Sequence, residues 1–319
     1  MAFTVELSKF QYEGDSSAFA GKRVLVTGSG RDGGLGQAFA LAAGLNGADV
    51  VGVHFHRSYR DGFDLVDILR ERGVNAFAMQ ADVTNMRDLW ASRSYVIEQM
   101  GGRTPDLVIC NSGLSEQGYR FGRALPEKED ESRGERRARA RRAFIEDLDE
   151  SRLVLGTKID GSVAMTHLWA AEAIYHDTPV QFVYVSSKQA LDPGPTVPGY
   201  VIANWAVLQL PTVLKVNLGR SAGMVSACCV LLPFVRTSMT DEYADNPKVF
   251  GRWQPRMLHT HETAAALSNL LSQPAETLDQ GWYELNVAGE PNRVEVAWHR
   301  RELDVRDIGP GGKLVFDGG

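Results

Sequence analysis

Arg23-Val-Leu-Val-Thr-Gly-Ser-Gly-Arg-Asp-Gly-Gly-Leu-Gly-Gln-Ala-Phe-Ala-Leu41 decides the fold. A short apolar run leads into a glycine-rich turn, and a helical pattern follows from Leu35. Gly28, Gly30, Gly34 and Gly36 permit a tight turn. They let backbone N–H groups, with Leu35 at the helix start, approach a pyrophosphate at the positive end of the helix. Glycines alone would mark an ordinary turn. Their place between a strand and a helix points to dinucleotide binding.

Outward from this unit, apolar runs alternate with amphipathic stretches, as in βαβ units around a parallel sheet. Strands are expected at Arg23–Thr27, Val50–Phe55, Ala76–Gln80, Leu107–Cys110, Gln181–Ser186, Val225–Leu231 and Trp282–Val287. Helices are expected at Leu35–Leu45, Gly62–Arg72, Met86–Met100, Phe144–Tyr175, Tyr200–Gly219 and Glu262–Leu271. The strands are rich in Val, Ile and Leu with little polar alternation, which fits cover on both faces. The expected fold is a single α/β domain, a Rossmann-like doubly wound parallel sheet over residues 22–291. An N-terminal extension (1–21), a charged insertion (about 115–143) and a C-terminal extension (292–319) depart from the minimal sheet. The charged run Pro126–Arg142 reads either as a docking surface or as a solvated helix or mobile loop.

The 319 residues suffice for one large core. A formal net charge of −6 argues against a general nucleic-acid binder. No signal peptide or membrane-spanning apolar stretch is expected. Cys110, Cys228 and Cys229 lie in apolar runs without ligand spacing, so no metal site is expected and a reducing cytoplasm fits best. His259, His261 and Glu262 have no apparent third ligand partner.

Further motifs follow in order. Asp82-Val83 ends the third strand, Cys110-Asn111-Ser112-Gly113 the fourth, and Ser187 precedes Tyr200 across a strand-to-helix turn. Together with the glycine loop, these resemble the short-chain dehydrogenase/reductase family over roughly Gly21 to Pro291. The resemblance implies that Asp82 and Val83 hold adenine, that Asn111, Ser112 and Gly113 line the cofactor, and that Thr237 holds the carboxamide. It also implies that Ser187 and Tyr200 act on a carbonyl. The second strand ends in His54-Phe-His-Arg-Ser58, similar to pteridine reductases. His56, Arg57 and Ser58 suit a 2′-phosphate, with Arg31 as a further contact, so NADP is the expected cofactor. A surface turn that happens to be basic is the alternative.

The family's lysine, four residues after the tyrosine, is Asn204 here. A tyrosine hydroxyl with a pKa near ~10 needs a nearby positive charge to transfer protons at neutral pH. Lys158-Ile-Asp-Gly161 stands where the family has an asparagine on the preceding helix. Either Lys158 delivers the missing ammonium, or it is the unmatched residue of a decayed site. Pro233 replaces the glycine expected before Thr237, and Tyr243, Phe250 and Trp253 read as a substrate lid or as packing anchors. Ser186 is expected to point away from Ser187, and Tyr184 to lie in the core.

The expected function is NADP-dependent reduction of a ketone, or the reverse oxidation, on a small organic or biosynthetic-pathway molecule. Ser187, Tyr200, Lys158 and Asn204 would form the catalytic set. A non-redox dehydratase, isomerase or cyclase, or a catalytically silent cofactor-binding subunit, are the alternatives. The long helices resemble the family's dimer-forming pair, implying a homo-oligomer (dimer or tetramer), with no nucleic-acid or membrane partner.

Overall fold

The computed structural model describes residues 5–12, 18–116, 125, 128–241, 257–290 and 293–302. Along β1 (Arg23–Val26), Val24 and Val26 enter one apolar cluster and Leu25 enters another. Side chains alternate across a strand, so β1 is covered on both faces. The elements that follow are α1 (Leu35–Leu45), β2 (Val50–Phe55), α2 (Tyr59–Glu71), β3 (Ala76–Gln80), α3 (Met86–Gln99) and β4 (Leu107–Cys110). Next come α4 (Arg133–Leu155), α5 (Gly161–Tyr175), β5 (Val180–Ser187), α6 (Pro198–Val207) and α7 (Leu210–Leu218). The chain continues through β6 (Val225–Leu232), β7 (Val235–Arg236), β8 (Leu258–His259) and α8 (Thr260–Leu271). A short α9 (Ala275–Leu278) leads into β9 (Trp282–Glu290) and β10 (Arg293–Arg301).

The main sheet has the order β10-β9-β6-β5-β4-β1-β2-β3. Every pair in it is parallel except β9 with β10. Phe39 and Leu41 of α1, Leu65 and Leu69 of α2, and Leu267 and Leu270 of α8 fill one face. Leu89 and Val96 of α3, with Leu168 and Trp169 of α5, fill the other. This is the doubly wound architecture the sequence predicts. Strand order reverses between β1 and β4, and the crevice at such a switch point is where open α/β sheets bind ligands.

The expected strands lie where predicted, with β9 running on to Glu290. The C-terminal extension contributes β10, which pairs with β9 from Arg293↔Glu290 to Arg301↔Trp282. Its Val294 and Trp298 pack on the core, and the Trp298 indole donates to the Ala266 carbonyl at 2.8 Å. At the other end, Phe10 is buried and Asn46 Nδ2 donates to its carbonyl at 2.7 Å. Both extensions are thus partly built into the domain.

The predicted helix Phe144–Tyr175 is corrected in two ways. It begins at Arg133, where Ser132 and Glu135 form a capping box. An Arg139–Glu131 ion pair of 2.6 Å steadies this turn. Local capping, not an apolar stripe, starts it, so hydrophobic periodicity missed it. The helix is then interrupted by a π-helical turn, Gly156–Asp160. The predicted helix Tyr200–Gly219 is likewise two helices, with Pro211 early in α7. By length and mean hydropathy (1.2), the stretch Pro198–Met224 does reach membrane-spanning size, contrary to expectation. Its exposed side carries Ile202, Trp205, Val213 and Val216.

Candidate active site

The glycine loop and the end of β4 are fastened together at the switch point. The Thr27 hydroxyl oxygen accepts from the N–H groups of Asn111 and Ser112, each at 3.0 Å. Asn111 Nδ2 donates back to the Thr27 carbonyl at 3.1 Å. Gly28 has φ +65°, and a Cβ there would sit 3.0 Å from Ser112 Cα. A Cβ on Gly36 would lie 2.4 Å from the Gly28 carbonyl oxygen, so the helix approaches the loop only as glycine. Gly34 precedes α1 and no side chain caps it. An uncapped helix start with a glycine-lined approach fits a pyrophosphate.

His54 supports this loop from below: its Nδ1 accepts from the Gly28 N–H at 3.2 Å. Burial drives its pKa down to about 4, so it is neutral, as an acceptor must be. At the end of β2, His56 and Arg57 are exposed and Ser58 is half-buried. Cationic and hydroxyl groups of this kind suit a phosphate. His56 Nδ1 lies 3.7 Å from Asp82 Oδ2. Burial works against the Asp82 carboxylate, but the Thr84 N–H and hydroxyl, with His56 and Arg57 nearby, hold its pKa below the usual value. Val83 is buried against Gly161. Arg31 reaches the Ser238 carbonyl at 3.3 Å, while the Ser238 N–H donates to the Gly33 carbonyl at 3.2 Å. The glycine loop is thereby tied to the segment holding Thr237.

Ser187 closes β5, its hydroxyl oxygen accepts from the Gln189 N–H at 3.2 Å, and it lies close enough to Tyr200 to lower the tyrosine's pKa. Burial pushes the Tyr200 pKa up, and the nearby Ser187 hydroxyl pulls it back in part. Ser186, expected to point away, also reaches α6: its hydroxyl donates to the Asn204 carbonyl at 2.8 Å. Asn204 is buried, and its amide donates to the Tyr200 carbonyl at 2.9 Å. Lys158 occupies the π-helical turn, is 5% exposed, and its Nζ donates to the Ser112 carbonyl at 3.4 Å. A Cβ on Gly113 would be 3.5 Å from that Nζ, so the ammonium lies directly beneath the Asn111–Gly113 segment. Burial lowers its pKa from 10.5 to about 8, against the opposing influence of Cys110 and Cys229. Tyr184 is core, bonded to Thr166 at 2.6 Å.

One site residue was not legible in the sequence. Glu116, 2% exposed, accepts from the Gly199 N–H at 2.6 Å and the Tyr200 N–H at 3.0 Å. The Ser151 hydroxyl of α4 donates to the same carboxylate at 2.9 Å. The only signal for it is indirect: Pro198-Gly199 opens a helix without a side-chain cap of its own.

Thr237 caps a turn, its hydroxyl oxygen accepting from the Met239 N–H at 3.2 Å. His259 and Glu262 form the capping box of α8, which gives both a structural task. Among the described residues, no three His, Cys, Asp or Glu side chains gather around one point. Tyr243, Phe250 and Trp253 lie outside the described residues.

Comparison with known proteins agrees with the fold. Residues 22–248 match the family described as short chain dehydrogenase. Cyclohexanol dehydrogenase of Rhodococcus sp. (strain TK6) is 38% identical over 109 residues, 31% of this chain and 39% of that enzyme. Versicolorin reductase 1 of Dothistroma septosporum is 34% identical over 105 residues, 33% of this chain and 38% of that enzyme. The aligned stretch thus spans well under half of these relatives. A gluconate 5-dehydrogenase from Burkholderia cenocepacia J2315, solved with NADP and tartrate, superposes with a TM-score of 0.66 at 18% identity. That match covers 90% of this chain and 98% of the other. With its doubly wound sheet, glycine loop and Ser187–Tyr200 pair, the chain belongs to the short chain dehydrogenase family.

Proposed function

We propose that this chain is an NADP-dependent oxidoreductase of the ketoreductase or alcohol dehydrogenase type, acting on a small organic molecule of a biosynthetic pathway. The observation that carries the reading is the placement of Ser187 at the end of β5 close to Tyr200 in the first turn of α6. His56, Arg57 and Ser58 support a 2′-phosphate, and the uncapped start of α1 supports the pyrophosphate. Relatives named as versicolorin and tetrahydroxynaphthalene reductases support the reductive direction.

NADPH, when bound, supplies the hydride that adds to the carbonyl carbon. Tyr200 gives its proton to the carbonyl oxygen, and Ser187 donates a hydrogen bond to the same atom. The raised Tyr200 pKa keeps the hydroxyl protonated but makes it a reluctant donor. A cation near the site counters this. We assign that part to Lys158, whose ammonium is held at the Ser112 carbonyl, while Asn204 stiffens the first turn of α6. Lysine and asparagine have in effect exchanged helices.

NADPH offered with a panel of ketones tests the reading, with loss of nicotinamide absorbance as the readout. Tight NADPH binding without turnover on the pathway substrate, or full activity in Tyr200→Phe, would overturn it. One observation favours a second reading, proton transfer without redox or a silent subunit: the Asn204 amide is engaged with the helix backbone. We further read the chain as a cytoplasmic homo-oligomer, without nucleic-acid or membrane partners. Ile202, Trp205, Val213 and Val216, all exposed, would lie at the subunit contact.

A further inference from the structure

We propose that Glu116 is a positioning residue that fixes Tyr200 relative to Lys158; this rests on the reading of Tyr200 as the acid. A helix start leaves its first backbone N–H groups without partners. In α6 the first residue, Pro198, has none to leave. Val201 donates to the Val197 carbonyl at 3.1 Å, so its amide is satisfied within the helix. That leaves Gly199 and Tyr200, and Glu116 accepts from both, one carboxylate oxygen each.

The surroundings are shaped to this contact. A Cβ at residue 199 would meet Glu116 Oε1 at 2.3 Å and Ser151 Oγ at 3.1 Å, so only glycine admits the carboxylate. Val197 enters the helix in the left-handed region, φ 58° and ψ 55°, which a β-branched residue rarely adopts. Such a conformation persists where neighbouring contacts over-determine it, and the clamp on Gly199 and Tyr200 is such a contact.

The route of the chain gives the clamp its meaning. Asn111 and Ser112 are held by Thr27 of the glycine loop, and the Ser112 carbonyl takes the Lys158 ammonium. Within a few residues the same segment reaches Glu116 and the Tyr200 amide. One strap therefore joins the cofactor loop, the buried ammonium and the helix bearing the tyrosine. Glu116 sets how far apart the last two stand. It lies away from any reacting atom, so its contribution falls on turnover.

The test compares the intact chain with Glu116→Gln, Gly199→Ala and Tyr200→Phe. Glutamine keeps the shape but presents an NH2 group to one of the two amides. Alanine at 199 drives the carboxylate off while leaving Glu116 in place. Displacements of about 1 Å cost on the order of 100-fold in rate, so both variants should lose about 10- to 100-fold in kcat. NADPH affinity should stay within about 2-fold, because the pyrophosphate contacts lie elsewhere. Hydrogen exchange at the Gly199 and Tyr200 amides should quicken in both, a local signature that general destabilisation does not give. If Tyr200→Phe abolishes turnover while both other variants keep wild-type kcat, the positioning role is wrong and the acid survives. If Tyr200→Phe retains full activity, the functional reading itself falls. Should Glu116→Gln fail to fold, Gly199→Ala decides the question in the same way.

Discussion

Lys158 and Glu116 are both buried ionisable side chains tied to the same strap, yet they are satisfied very differently. Glu116 accepts from two backbone amides and a hydroxyl, all within 3.0 Å. Lys158 donates to a carbonyl at the long distance of 3.4 Å, and burial lowers its pKa to about 8. A saturated buried charge fastens structure, whereas an under-paired one costs stability. On the proposed function, the lysine's cost to stability is what a working group would carry. Strained, costly groups of this kind gather at functional sites.

Replacement of both residues by methionine should split the pair most widely. Lys158→Met should lose about 100-fold or more in kcat yet become more stable at neutral pH. The shift from 10.5 to about 8 corresponds to a relief of about 3 kcal/mol. Glu116→Met strands two amides, at about 1–3 kcal/mol each, and should be destabilised. Denaturant unfolding of the two variants reads out the opposite signs.

The double exchange Lys158→Asn with Asn204→Lys sharpens the comparison next. It should recover about 10-fold or more of the kcat lost in Lys158→Asn alone, since it returns one ammonium to the proposed site. A double variant no better than the single one would detach Lys158 from the chemistry.

The pH dependence follows from the same group. Between about pH 8 and 10.5 the unfolded chain still holds the Lys158 proton that the folded chain has released. Stability contributed by this site therefore rises with pH across that window. Turnover should move the other way, falling as pH passes about 8 and the ammonium is lost. Lys158→Met should flatten the stability slope, measured by unfolding at graded pH.

A smaller effect is expected at the cofactor's far end. Arg57→Ala should weaken NADPH binding by about 10-fold, the loss of one charge-assisted hydrogen bond, and leave NADH binding nearly unchanged. Smallest of all, Arg301→Ala removes an exposed arm of the Glu284 ion pair at 3.2 Å and should cost under about 1 kcal/mol.

Sequence reasoning reached what local pattern encodes. The buried strands are continuous apolar runs, and Gly28 to Gly36 form a turn that only a strand and helix on either side make meaningful. Ser187 and Tyr200 were legible because their spacing spans one strand-to-helix turn. Glu116 was not, because its partners Ser151, Gly199 and Tyr200 are 35 or more positions away and only the fold brings them near. The start of α4 was open only as the solvated-helix reading of the charged run, because its turns are held by caps and ion pairs and carry no apolar stripe. Strand β10 escaped because alternating valines among arginines resemble a solvated tail until β9 lies beside them.

That last strand bears on how the molecule behaves in a crowd. A sheet must stop somewhere, and its outermost strand offers unpaired backbone groups to any passing chain. Here the outermost position on one side falls to β10, whose His299, Arg300 and Arg301 are exposed. Charged side chains along an edge discourage pairing with another strand. Without β10, the edge would pass to β9, with its buried Trp282 and Leu285. The charged strand thus acts as a selvedge, keeping the sheet from knitting onto its own copies.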